Sequence, residues 1–133
     1  MTDPTDLYRF EVDIESSMLT PGPMIVAFDG FFDAGMAQRL LVDHLLEASE
    51  ATVVASFDID GLIDYRSRRP VITFDADHLT DYRPPRLELS LVHDAIGQPF
   101  VLLAGFEPDF AWDAFTETVV GLAEGLEVAT VTW

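Results

Sequence analysis

Residues 24–57 constrain the fold more than any other part of the chain. Met24-Ile25-Val26-Ala27-Phe28 is an unbroken apolar run closed by Asp29-Gly30, the pattern of a strand buried on both faces. Behind it, Ala37, Leu41 and Leu45 recur at helical spacing with Met36 and Leu40 beside them, and Asp33 stands where a helix N-cap belongs. That helix is predicted to run to about Ala48. Residues 51–57 then supply a second, β-branched run. Strand, helix and strand at this spacing make a right-handed parallel crossover.

The same reasoning extends along the chain. Tyr8, Phe10, Val12 and Ile14 alternate as an edge strand does, and Thr20-Pro21-Gly22-Pro23 separates them from the main body. Residues 70–74 resume an extended pattern after a charged loop. Residues 86–92 and 100–104 are two further apolar runs, joined by a short polar turn containing Gly97, and are expected to pair as an antiparallel hairpin. A second helix, capped by Asp109, should carry Trp112, Phe115, Val119 and Leu122 on one face and end at Gly125. Residues 128–133 begin a last strand, expected to be central and buried because it is so apolar. The element order predicts a three-layer α/β/α sandwich with a mixed, largely parallel sheet. Residues 1–23 form an N-terminal arm or edge strand, and residues 24–133 an α/β domain expected to be incomplete at its C-terminal end.

Charge narrows the function. There are 24 Asp and Glu against 7 cationic residues, a formal net charge of −17. A polyanion would be repelled before contact, so nucleic acid and anionic membrane surfaces are excluded as partners. All the cations are Arg. With neither Lys nor Cys in the chain, Schiff-base chemistry, a phosphate-cradling lysine, thiolate catalysis and cysteine metal sites are excluded together. No apolar stretch approaches membrane-spanning length and no leader pattern opens the sequence, which fits a cytoplasmic protein.

Three constellations are candidates for function. In the first, Gly30, Asp33 and Gly35 follow the first strand where open α/β sheets place ligands, although a structural cap and a tight turn account for the same residues. The second, Asp64-Tyr65-Arg66-Ser67-Arg68-Arg69-Pro70, puts three of the seven cations into four residues. In so acidic a chain it is a local inversion of sign, suited to an acidic patch on a neighbouring subunit, an anionic ligand, or intrachain carboxylates. In the third, Glu107 and Asp109 occupy another strand-to-helix turn. With Asp33 they can converge on a hard divalent cation or act as acid and base, while the helix dipole alone also favours carboxylates there. His44, His78 and His93 show no metal-ligand spacing, and no Gly-x-Ser-x-Gly elbow is present. No metal or cofactor is expected.

At these constellations the sequence resembles the proteasome assembly chaperone 2 family, specifically its actinobacterial branch. The resemblance rests on Gly30, Asp33, Ala34 and Gly35; on Asp64, Tyr65, Arg66, Arg68, Arg69 and Pro70; and on Gly105, Glu107, Pro108 and Asp109 followed by Trp112 and Phe115. It implies a sandwich similar to the phosphorylase/hydrolase-like fold, a chain about twice this long, and a homo-oligomer or pairing with a related subunit. Eukaryotic members assemble the proteasome α-ring, so proteasome subunits are implied partners, and no catalytic residues carry over. A non-enzymatic assembly or interaction protein is therefore expected. The competing class is an enzyme of the same fold acting on a small anionic metabolite anchored by Arg66, Arg68 and Arg69.

Overall fold

A computed structural model describes residues 7–14, 22–30, 36–66, 71–75, 78–83 and 85–132. The main sheet has six strands: β1 (Tyr8–Phe10), β2 (Pro23–Asp29), β3 (Glu50–Phe57), β6 (Leu87–His93), β7 (Pro99–Phe106) and β8 (Thr130–Thr132). Their spatial order is β1-β3-β6-β7-β2-β8. β2 is parallel to β7 and to β8, while β6 is antiparallel to both β7 and β3, and β1 is antiparallel to β3. Thus β2, β3, β7 and β8 point one way and β1 and β6 the other, which is the mixed α/β sheet expected. A separate antiparallel pair, β4 (Val71–Asp75) with β5 (His78–Arg83), follows the short helix α2 (Ile59–Leu62).

The two longer helices cover opposite faces. α3 (Trp112–Gly125) packs Phe115 and Leu122 onto Met24, Val26 and Phe28 of β2 and onto Leu87, Leu89, Val101 and Leu103. The other face is thinner: Val42 and Leu45 of α1 (Ala37–Ala48) meet Val92, Phe100 and Leu102 with Ile25 and Ala104. Alternation along β2 serves both layers at once, which is why its run is apolar at every position. Among the described residues no helix is long and apolar enough to cross a membrane.

The expected hairpin is present, with Leu89 opposite Leu103 and Leu91 opposite Val101. Its turn is organised by Asp94, whose Oδ1 accepts the Ile96 N–H at 3.0 Å and the Gln98 N–H at 2.8 Å, and Gly97 takes φ +83°. Asp94→Ala removes the acceptor of both bonds and should cost about 1–2 kcal/mol. Urea denaturation checks this, and a loss within a few tenths would contradict it.

Three expectations differ from the described residues. Within them β8 lies at the sheet edge beside β2 with all three of its residues exposed, where the sequence predicts a central and buried strand. Its pairing with β2 covers only Pro23, Met24 and Ile25, too short a contact to bury it. α1 is rotated from the expected face: Gln38, Val42 and Leu45 turn inward, whereas Met36, Leu40 and Leu41 are exposed. Gln38 fixes this rotation because its Oε1 accepts the Phe28 N–H at 2.9 Å. Asp109 does not cap α3. That helix is entered through Ala111 in the left-handed region, φ 56°, with no side-chain cap, and α1 is entered the same way through Met36. The expected cap of α1, Asp33, lies outside the described residues.

Candidate functional site

The chain leaves β2 through α1 toward β3 on one side, and leaves the adjacent parallel strand β7 through α3 toward β8 on the other. Two neighbouring parallel strands whose connections depart in opposite directions define the crevice at which open α/β sheets bind ligands. Gly30 stands at its β2 side and Glu107 and Asp109 at its β7 side. The loop after α2, carrying Asp64, Tyr65 and Arg66, reaches the same edge. Gly35, like Asp33, and Arg68 and Arg69 fall outside the described residues.

The β7 side is laid across the end of β2. The Glu107 N–H donates to the Asp29 carbonyl at 2.9 Å, continuing the parallel ladder one residue beyond the strands. Glu107 is half-buried, and its Oε2 is buried with no hydrogen bond from the described residues. Gly105, just before it, has φ +136° and lies so close to the chain leading into β6 that a Cβ there would sit 2.0 Å from the Arg86 carbonyl oxygen.

A closed set of hydrogen bonds then fastens the arginine-bearing loop. Leu62, fully buried, presents its carbonyl to the N–H groups of both Asp109 (2.7 Å) and Phe110 (3.1 Å). In return the Asp109 Oδ2 accepts the Asp64 N–H at 2.7 Å, and the Asp64 Oδ1 accepts the Arg66 N–H at 2.9 Å. The Tyr65 hydroxyl donates to Asp60 Oδ1 at 2.8 Å. Asp109 thus works as a clamp between two turns 45 residues apart in sequence. Leu62 and Ile63 in the core hold the loop from below, so that Tyr65, 40 % exposed, and Arg66 face solvent.

The second and third constellations are therefore brought together, at Asp64 and Asp109, where the Asp109 carboxylate accepts the Asp64 main-chain N–H. Sequence reasoning missed Asp60 and the Leu62 carbonyl as partners; neither has a local signal, because each is defined by the turn it meets. Asp109→Ala removes an acceptor from a half-buried N–H and should cost about 1–3 kcal/mol, with faster amide exchange at Asp64. Asp113→Ala, an exposed change in the first turn of α3, is the control. Equal melting of the two variants would remove the clamp from the account.

Three comparisons place this geometry among known proteins. A model of the PAC2 family matches residues 27–133. The chain is similar to a solved protein of unknown function from Mycobacterium tuberculosis, at 44 % identity and TM-score 0.88, over 95 % of this chain and 45 % of the other. A protein of unknown function from Corynebacterium glutamicum is similar at 36 % identity and TM-score 0.85, over 95 % of this chain and 48 % of the other. A structure described as a Mycobacterium tuberculosis proteasome-assembly chaperone homologue shares 28 % identity at TM-score 0.70, over 82 % of this chain and 47 % of the other. The chain thus spans a little under half the length of these solved relatives. No curated protein matches it.

Proposed function

Because the chain belongs to the PAC2 family, we propose that it is a non-enzymatic assembly protein, which holds a second protein subunit at the carboxyl edge of its sheet. Its candidate partners are proteasome subunits, by likeness to the chaperone homologue, and a further copy of itself or a related subunit; its place of action is the cytoplasm. The observation that carries this reading is the use made of the carboxylates at that edge. Asp64 and Asp109 are spent on fastening a loop whose Tyr65 and Arg66 point outward. Tyrosine and arginine are the side chains that concentrate binding energy at protein interfaces, and the two further arginines of the string, Arg68 and Arg69, follow at once in sequence. An arginine fork meeting an acidic surface in trans also relieves the self-repulsion of a chain of charge −17.

The experiment is capture of purified proteasome subunits of the source organism by the intact natural protein, alongside a variant with Arg66, Arg68 and Arg69 all changed to Ala. Capture by the wild type and at least tenfold weaker capture by the variant are expected, with light scattering reporting self-association in parallel. No enrichment over a control, and unchanged mass in both proteins, would overturn the assembly reading. Turnover of a small anionic metabolite, lost in the same variant, would replace it with the enzymatic one.

A further inference from the structure

The larger core does not close on its β8 side. Between α3 and the last two strands of the sheet lies a groove of about 340 Å³ with almost wholly apolar walls: Trp112, Val119, Val120 and Ala123 of α3, Phe28 of β2 and Val131 of β8. Phe115 and Leu122 beneath it are buried, but Trp112, Val119 and Ala123 are only partly so, and Val120 and Val131 are 50 % and 54 % exposed. A concave apolar surface of this extent is a place where something docks.

A second feature borders the groove. β8 is the last strand in the order of the sheet, and among the described residues it pairs only with β2. Because a strand bonds each neighbour through alternate residues, part of the β8 main chain faces away from β2, an edge that folded proteins cover or blunt. Val131 lines the groove, so a strand laid along that edge would set every second side chain beside Val131 and over Val120. Edge and groove therefore fit one occupant, an extended segment apolar at alternate positions. Charge disfavours a second copy of this face: Asp113, Glu117 and Glu124 are exposed along the same stretch of α3, and two-fold pairing would bring them onto their own counterparts.

The solved relatives supply the length such an occupant needs. The two that match 95 % of this chain, at TM-scores 0.88 and 0.85, do so with only 45 % and 48 % of their own, so each carries more than half of its chain outside the shared unit. Chain continuing from β8 starts at this edge, whereas chain joined ahead of β1 starts from the opposite edge of the sheet. We propose that, in the intact natural protein, chain following residue 133 lays a strand along β8 and seats its alternate apolar side chains in the groove. β8 then becomes an interior strand. This inference goes beyond the assembly reading, and none of its residues belongs to the Asp64–Asp109 clamp.

The test uses the intact natural protein. Amide exchange at every residue from Thr130 to Thr132 should be at least about a hundredfold slower than in an unstructured chain, because both sides of the strand are then bonded. Methyl NOEs from Val120 and Val131 should reach alternate apolar side chains of one segment beyond residue 133. Val120→Gln, which is neutral at an exposed helix position, should lower the melting temperature by at least about 5 °C, while Glu117→Gln on the same helix shifts it by no more than about 1 °C. The exchange and NOE measurements need no variant, so misfolding of Val120→Gln does not remove the test. A natural protein that ends at Trp133, protection that alternates along β8 as at a free edge, NOEs from these methyls to a second copy in a mixed-isotope sample, or a Val120→Gln shift no larger than the control's would each overturn the proposal.

Discussion

Gly105→Ala should remove most of the stability of the fold, at least about 4 kcal/mol, placing it among the most damaging single changes. Two effects add. The backbone at Gly105 has φ +136°, a conformation in which any Cβ is strained. The same Cβ would lie 2.0 Å from the Arg86 carbonyl oxygen and 2.7 Å from the Leu87 Cα, both main-chain atoms that cannot swing aside. Gly105 is opposite Leu87 on one flank and Phe28 on the other, so relief requires β6 to move away from β7 or β7 to lose β2. Soluble yield and urea midpoint are the measurements, and a loss below about 1 kcal/mol would show that the strands are not held so closely.

Phe115→Ala should cost about 3–5 kcal/mol, the range for truncating a buried aromatic side chain. Phe115 is 2 % exposed, and its ring lies 5.3 Å from Phe57, 5.7 Å from Trp112 and 5.9 Å from Phe28, centre to centre. From α3 its ring packs against both Phe28 of β2 and Phe57 of β3, so its loss opens a hole at the centre of the larger core rather than at its rim. Phe115→Leu keeps most of the volume and should recover more than half of the loss; calorimetric melting of the three proteins checks both. Equal Tm values for wild type and Phe115→Ala would contradict the packing described.

The β2 and β7 runs were legible in the sequence because strands buried on both faces are continuous in apolar residues, and β3 and β6 were legible by β-branched residues in the one and alternating leucines in the other. The buried face of α3 was legible for a related reason, since Phe115 and Leu122 recur at helical spacing on an otherwise mixed helix. α1 defeats the same reading. Its leucines at 40, 41, 45 and 46 run around the helix, and the face that turns inward is chosen by a polar residue, Gln38, through a hydrogen bond to β2. β5 was missed because His78–Arg83 has no apolar run to announce it. β8 reads as a core strand from composition, but burial is set by which strand lies beyond it, a property of topology and not of the segment. At the site, Asp109 is placed just as an N-cap would be, and only the fold reveals that its carboxylate serves Asp64 instead.

The position of the β6–β7 hairpin inside the sheet has a bearing on how the chain reaches it. This pair is closed by a five-residue segment, 94–98, held by Asp94, so its pairing is local and costs little loop entropy. β2 belongs beside β7 although most of the chain separates them, and β3 joins β6 across the α2, β4 and β5 region. Such distant pairings form slowly, because the loop must close before any contact rewards it. The hairpin is thus the piece that can stand first, with β3 added on one flank and β2 on the other. Until β2 arrives, the β7 edge is an open, strongly apolar strand, the most aggregation-prone surface that folding passes through.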